Sequence, residues 1–264
     1  MDSRIDKYLN TNIKDLITEF NSIQTELDKF EIGCAPCNLG TCKLKDVVEI
    51  HNLNEVDEKK LITNIFKIIF PTETFDIPRI GKDKVISKSV SISPPIKLLV
   101  DEHVLIKRVL ALIPRITETL DLKLKEHKQL VIDITDFIRN YADKYHHSKE
   151  EDILFVGFHT TFDIIEVMIG DHILSRKYVS EMLKAVDTEN TELAKENLLN
   201  YCNLLTEHIQ KEDNILYPWM DRNMETKQVG FMYSEFLKIN NERPEIQSKY
   251  ENLTSKLESL YLQK

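Results

Sequence analysis

The chain has 264 residues, 42% of them hydrophobic and 30% charged, and a formal net charge of −9. That length allows one large core or two modest ones, and the acidic balance argues against nucleic acid or an anionic membrane as a partner. No apolar run reaches the roughly 18 residues of a membrane helix. The opening Met1-Asp2-Ser3-Arg4-Ile5-Asp6 lacks the basic region and apolar core of a signal peptide. A cytoplasmic protein is expected. Six glycines and eight prolines, among abundant Leu, Ile, Lys and Glu, predict an all-α fold.

Residues 1–70 read as a small helical domain. Ile13, Leu16, Ile17 and Phe20 recur at helical spacing, and further helices are expected over 43–50 and 55–70, the latter with Leu61, Ile65, Phe66 and Ile69 on one face. Between them a Gly- and Pro-marked loop carries Cys34, Cys37 and Cys42. Without a secretion signal these cysteines point away from a disulfide framework. Three readings stay open: buried structural thiols, a redox pair Cys34/Cys37, or a metal or cluster site one thiolate short of four. Thr41 and the helix after it are placed to lower the pKa of Cys42. Cys202 reads as a core residue of a later helix. Residues 71–95, with Pro71, Pro78, Pro94 and Pro95, read as a linker, in which Val85-Ile86 and Val90-Ser91-Ile92 are candidates for a short strand pair.

From residue 96 to 224 the helical period is strong. A helix over 96–119 lines up Leu99, His103, Ile106 and Leu110, with Pro114 expected to kink it or end it early. A second, over 122–156, carries Ile134, Ile138, Ala142, His146, Glu150 and Ile153. A third, over 162–186, carries Ile165, Met168, Ile169, His172 and Val179. The fourth, over 191–222, carries Leu198, Tyr201, Leu205, His208, Glu212 and Ile215, disturbed near Pro218. Short links imply antiparallel neighbours, hence an up-down four-helix bundle. Residues 225–264 read as a C-terminal helical extension interrupted at Pro244.

One sequence occurs twice in that bundle. His146-His147-Ser148-Lys149-Glu150-Glu151-Asp152-Ile153-Leu154-Phe155 returns as His208-Ile209-Gln210-Lys211-Glu212-Asp213-Asn214-Ile215-Leu216-Tyr217. Both read His-x-x-Lys-Glu-acidic-x-Ile-Leu-aromatic. Residues four apart share a helical face, so each copy aims an imidazole and a carboxylate at one point. His103 and His172 sit on the facing stripes. Burying four imidazoles and two carboxylates without a cation costs several kcal/mol per unpaired charge, and a bound metal pair removes that cost. Iron or manganese suits such a set better than a lone zinc. The parallel choice of His147 with Glu151 has the same spacing but the wrong helical phase, which leaves His147 as an outer group or an extra ligand. Lys149, Glu151 and Asp152 read as a solvated face. His127 is too far along its helix, and His51 and His159 read as surface residues.

With Asp171-His172 added, the series His103, His146-x-x-x-Glu150, His172 and His208-x-x-x-Glu212 resembles the hemerythrin-like (HHE cation-binding) domain over about residues 96–224. The resemblance implies a four-helix bundle holding two Fe ions in a non-haem di-iron centre. It makes Glu150 and Glu212 bridges, and His103, His146, His172 and His208 terminal ligands. Oxygen-carrying hemerythrins have His-x-x-x-His and His-x-x-x-x-Asp in their second half, where this chain has Glu, which puts reversible oxygen carriage in question. Residues 8–70 resemble the small cysteine-bearing domain that precedes some hemerythrin-like domains, although the adjacent cysteines of iron–sulfur cluster repair proteins are missing. Three functions follow: binding O2, NO or peroxide for sensing, storage or detoxification; a repair or redox enzyme linked to an iron–sulfur protein or redox partner through the cysteines; or iron storage or regulation.

Overall fold

The computed structural model describes residues 3–30, 32, 43–50, 53, 55–73, 92–158 and 163–262. It divides into two compact units, Met1–Ser91 and Ile92–Lys264. Extended pairing among the described residues is limited to one antiparallel bridge, Asn12 to Lys43. Cys34, Cys37, Cys42, Thr41, His51, His159, Val85, Ile86 and Val90 lie outside the described residues, as does most of the expected linker.

The first unit contains α1 (Ser3–Leu9), α2 (Ile13–Glu19), α3 (Ser22–Asp28), α4 (Leu44–Ile50) and α5 (Glu55–Ile69). The Asn12 side chain accepts the Lys14 N–H and so satisfies one free donor at the start of α2. Leu16, Ile23, Leu27, Leu61, Ile62 and Ile65 are fully buried, so these short helices are held by a shared core.

The second unit begins with α6 (Pro94–Thr119), which has Pro94 and Pro95 in its first turn, where a missing N–H costs nothing. Of the two outcomes expected at Pro114, a kink or an early end, the early end does not occur, and α6 runs on to Thr119. Proline deprives the carbonyl four residues back, that of Leu110, of its helical donor. The Cys202 thiol donates to that carbonyl at 3.3 Å, which compensates the loss. The second bundle helix starts as α7 (Lys125–Phe137) and then widens into π-helical segments over Ile138–His147 and Glu150–Leu154, ending in a 3-10 turn at Phe155–Phe158. The third is α8 (Asp163–Asp187). The fourth is α9 (Thr191–Lys211), a π turn over Glu212–Leu216, and α10 (Tyr217–Asn223) with Pro218 in its first turn.

The duplicated sequence thus brings a duplicated backbone irregularity. The Phe155 N–H bonds the Glu150 carbonyl and the Tyr217 N–H bonds the Glu212 carbonyl, each five residues back. Such π turns recur at functional positions. The extension forms α11 (Thr226–Glu242) and α12 (Ile246–Tyr261), separated around Pro244 as expected. Tyr250 and Leu257 of α12 join the bundle core, and Arg108 of α6 pairs with both Glu251 and Glu258.

Candidate metal centre

The widened second helix brings two adjacent histidines inward at once. His103, His146 and Glu212 form one group of converging donor atoms, and His147, Glu150, His172 and His208 form another; all seven are buried. Within the groups the Nε2 atoms of His103 and His146 stand 2.8 Å apart, and those of His172 and His208 3.0 Å apart. The two glutamates tie the groups together. Glu150 Oε2 is 3.7 Å from His146 Nε2 and 3.5 Å from His172 Nε2. Glu212 Oε2 is 3.3 Å from His103 Nε2, and its Oε1 is 3.0 Å from His208 Nε2. Even so, Glu150 Oε2 and both Glu212 oxygens have no hydrogen-bond partner, and neither does His147 Nδ1. Buried carboxylate oxygens left that way cost several kcal/mol. Imidazole and carboxylate are good ligands for iron, manganese or zinc. The donor set therefore fits a cation.

Residues 94–220 match the family model for the hemerythrin HHE cation binding domain. The bundle is a hemerythrin-like domain. No curated protein and no solved structure matches the chain. The domain and its clustered His and Glu donors make this a metal-binding helical protein. Among the described residues, no helix is long and apolar enough to cross a membrane.

Around the donors of the hemerythrin-like domain lies an ordered outer layer that pure α-helical phase assigns to solvent. His103 Nδ1 meets Asp213 at 2.7 Å, and Lys107 holds Asp213 at 2.5 Å. In the other half His172 Nδ1 meets Glu151 at 2.6 Å, and Arg176 holds Glu151 at 2.7 Å. His146 Nδ1 meets Glu102 at 2.9 Å, and the fully buried Lys149 bonds Glu102. His208 Nδ1 meets Asp171 at 3.2 Å, with Lys211 at 3.7 Å from Asp171. Each of these imidazoles is thereby oriented with Nε2 toward the centre, as carboxylate–histidine–metal arrangements require.

The repeated decapeptide can now be read residue by residue. Its His faces the centre, its Lys grips the acid that precedes the facing histidine, and its Glu reaches both donor groups. Its next acid crosses to the histidine of the other half, Glu151 orienting His172 and Asp213 orienting His103. Lys149 and Glu151 accordingly do not form a solvated face. Their recurrence as Lys211 and Asp213 was the available signal, because solvated residues have no reason to repeat in step with His and Glu. Of the two places left open for His147, the geometry favours that of an extra donor over that of an outer group. His147 is buried, stacks on the His172 ring at 3.9 Å and belongs to the four-donor group, because the π segment over Ile138–His147 changes the phase. Asp143 faces it at 3.8 Å, beyond hydrogen-bond range.

Electrostatics follow the same layout. Burial and the nearby Glu212 carboxylate push Glu150 well above the usual carboxyl range. Burial also works against Glu212, but His208 and His103 hold it well below that range. Burial and neighbouring imidazoles drive His146 and His172 well below their ordinary value, leaving neutral rings with free lone pairs. His208 resists burial through Glu212 and Asp171 and rises to about 9. Glu102 is raised to about 7 by burial, against the pull of Lys149. Tyr217 donates its O–H to Glu150 Oε1 at 2.5 Å while stacking on His103 at 5.5 Å.

Proposed function

We propose that the hemerythrin-like domain holds a pair of iron ions and binds a small oxidant or diatomic gas (O2, NO or peroxide). The observation that carries this reading is the reach of both glutamates into both donor groups, which suits two ions sharing carboxylates and not a single closed zinc site. The paired imidazoles, with Nε2 atoms 2.8 and 3.0 Å apart, and the two carboxylates beside them make a mixed nitrogen–oxygen donor set of the kind that would hold iron or manganese.

Bound there, a ferrous pair supplies reducing electrons and, on the three-donor side, room for an external ligand. The chain's own residues do the rest. Outer carboxylates hold the imidazoles aimed inward. Leu154, Phe155, Leu216 and Tyr217 are buried beside the glutamates and keep bulk water away. The Tyr217 hydroxyl donates a hydrogen bond to one Glu150 oxygen and leaves the other free. The test is anaerobic loading of the full chain with Fe(II), followed by exposure to O2 or NO under absorption spectroscopy. New bands that saturate at one gas molecule per two irons are the expected result. An iron-loaded chain whose spectrum ignores both gases would overturn the gas-binding reading.

A further inference from the structure

The two halves of the bundle correspond closely around the metal donors, and beside those donors they differ in packing. Between the second and third bundle helices lies a cavity of about 270 Å³. Ile138, Val179 and Leu183 give it an apolar wall, and Arg139, Ser175 and Arg176 give it a polar one. Counting from the repeated histidines, the positions that match Asp143, Arg139, Ser175 and Val179 in the other half are Leu205, Tyr201, Ile106 and Leu110. All four of those are buried in the core. Where one half is packed solid, the other keeps an opening lined by guanidinium groups.

The cations of that opening are not spent. Arg139 makes no hydrogen bond or ion pair with the described residues, and it is exposed at the rim. Arg176 uses Nε and one terminal nitrogen on Asp143 and Glu151, which leaves its other terminal nitrogen free. Asp143 is the one carboxylate in the wall, and Arg176 already neutralises it. Two guanidinium groups and three apolar side chains lining one small opening suit a carboxylate with a short hydrocarbon tail, since guanidinium pairs with carboxylate through parallel hydrogen bonds. The volume sits near the lower end of small-molecule sites.

We propose that this cavity is a binding site for a small organic anion, one carboxylate on a short apolar chain, and that its occupancy is felt at His147 and His172. The link is Arg176. It anchors Asp143, which faces His147, and Glu151, which orients His172. An anion that engages Arg176 competes with both carboxylates.

Hexanoate is the probe, with hexylammonium and inorganic phosphate as controls. All three are titrated into the full chain, metal-free and metal-loaded, by calorimetry. The site binds one hexanoate per chain with or without metal, so the result does not depend on the identity of the ions. Arg139→Met keeps the length of an exposed side chain, leaves the melting temperature in place and weakens hexanoate about tenfold or more. Leu183→Asp abolishes binding by charging the apolar wall. In the metal-free chain, saturating hexanoate moves the ring nitrogen resonances of His147 and His172 and leaves those of His103 and His146 unmoved. Absence of hexanoate binding, equal binding of hexylammonium, preference for phosphate, or unchanged affinity in Arg139→Met would each overturn the site. Binding that leaves the His147 and His172 resonances still would overturn the coupling.

Discussion

In the first half of the bundle, Glu102-His103 on α6 pairs with His146 and Lys149, and in the second half Asp171-His172 on α8 pairs with His208 and Lys211. The acids that follow cross between the halves, Glu151 to His172 and Asp213 to His103. Position for position the chemistry matches, down to the cation four residues after each facing histidine, Lys107 and Arg176. Two substitutions and one difference in burial break the match. His147 stands where the second copy has Ile209, Phe155 where it has Tyr217, and the Lys149–Glu102 pair is far more deeply buried than Lys211–Asp171. The comparison separates the residues that build both donor groups alike from those that make the two halves unequal. The shared residues build two donor groups joined by glutamates. His147 makes one group richer, and Tyr217 gives one glutamate a hydroxyl partner that the other lacks.

The largest effect is expected where the halves are joined. Glu212→Gln or Glu150→Gln keeps size and removes a charge that both donor groups share, so both ions should weaken together, by more than about 100-fold. Calorimetric metal titration reads this; loss of one ion with the other intact would show that the glutamates do not serve both groups. Next comes the unequal histidine. His147→Ala should weaken one ion, that of the four-donor group, while Ile209→Ala lowers the melting temperature and leaves both affinities in place. Equal metal loss in the two variants would mean His147 acts as packing alone.

The outer layer gives the matched comparison. Glu151→Gln and Asp213→Asn remove corresponding acids that orient His172 and His103, so each should cost about 10- to 100-fold in metal affinity. A silent Glu151→Gln would return that residue to the solvated face that simple helical phase implies.

A pH series sharpens the same account. The folded value of His208, about 9, lies above its ordinary 6.5. Its contribution to metal-free stability is therefore complete below about 6.5 and is lost as pH rises through about 9. A metal ion must displace that proton. The rise in melting temperature on metal loading should grow steadily between pH 6.5 and 9; a constant rise would place the proton elsewhere. The smallest effect should come from Tyr217→Phe, which gives the second half the first half's aromatic. It should shift the absorption of the loaded centre and change metal affinity by less than about tenfold, since one hydrogen bond is lost.

Much of this was legible in the sequence because periodicity reports burial. The stripes through His103, His146, His172 and His208 identified four core faces, and the repeat identified two glutamates. Three features were hidden. His147 was concealed because a π segment alters the phase, and nothing in Ile138–His147 announces a π segment locally. Lys149 and Glu151 were concealed because charged residues beside a motif usually face water. What lets α6 pass Pro114 was concealed because the compensating donor is Cys202, 92 positions away in the chain. Local pattern reports which face is buried, whereas partners across the bundle decide what a buried charge does there.

The most direct test of a shared two-ion centre is native mass spectrometry of the full chain during anaerobic titration with Fe(II), backed by metal analysis. The account predicts a passage from the metal-free chain to a form with two irons, with little one-iron form in between, because each glutamate is completed only when both donor groups are filled. A chain that saturates at one ion, or that takes zinc and refuses iron, would contradict it.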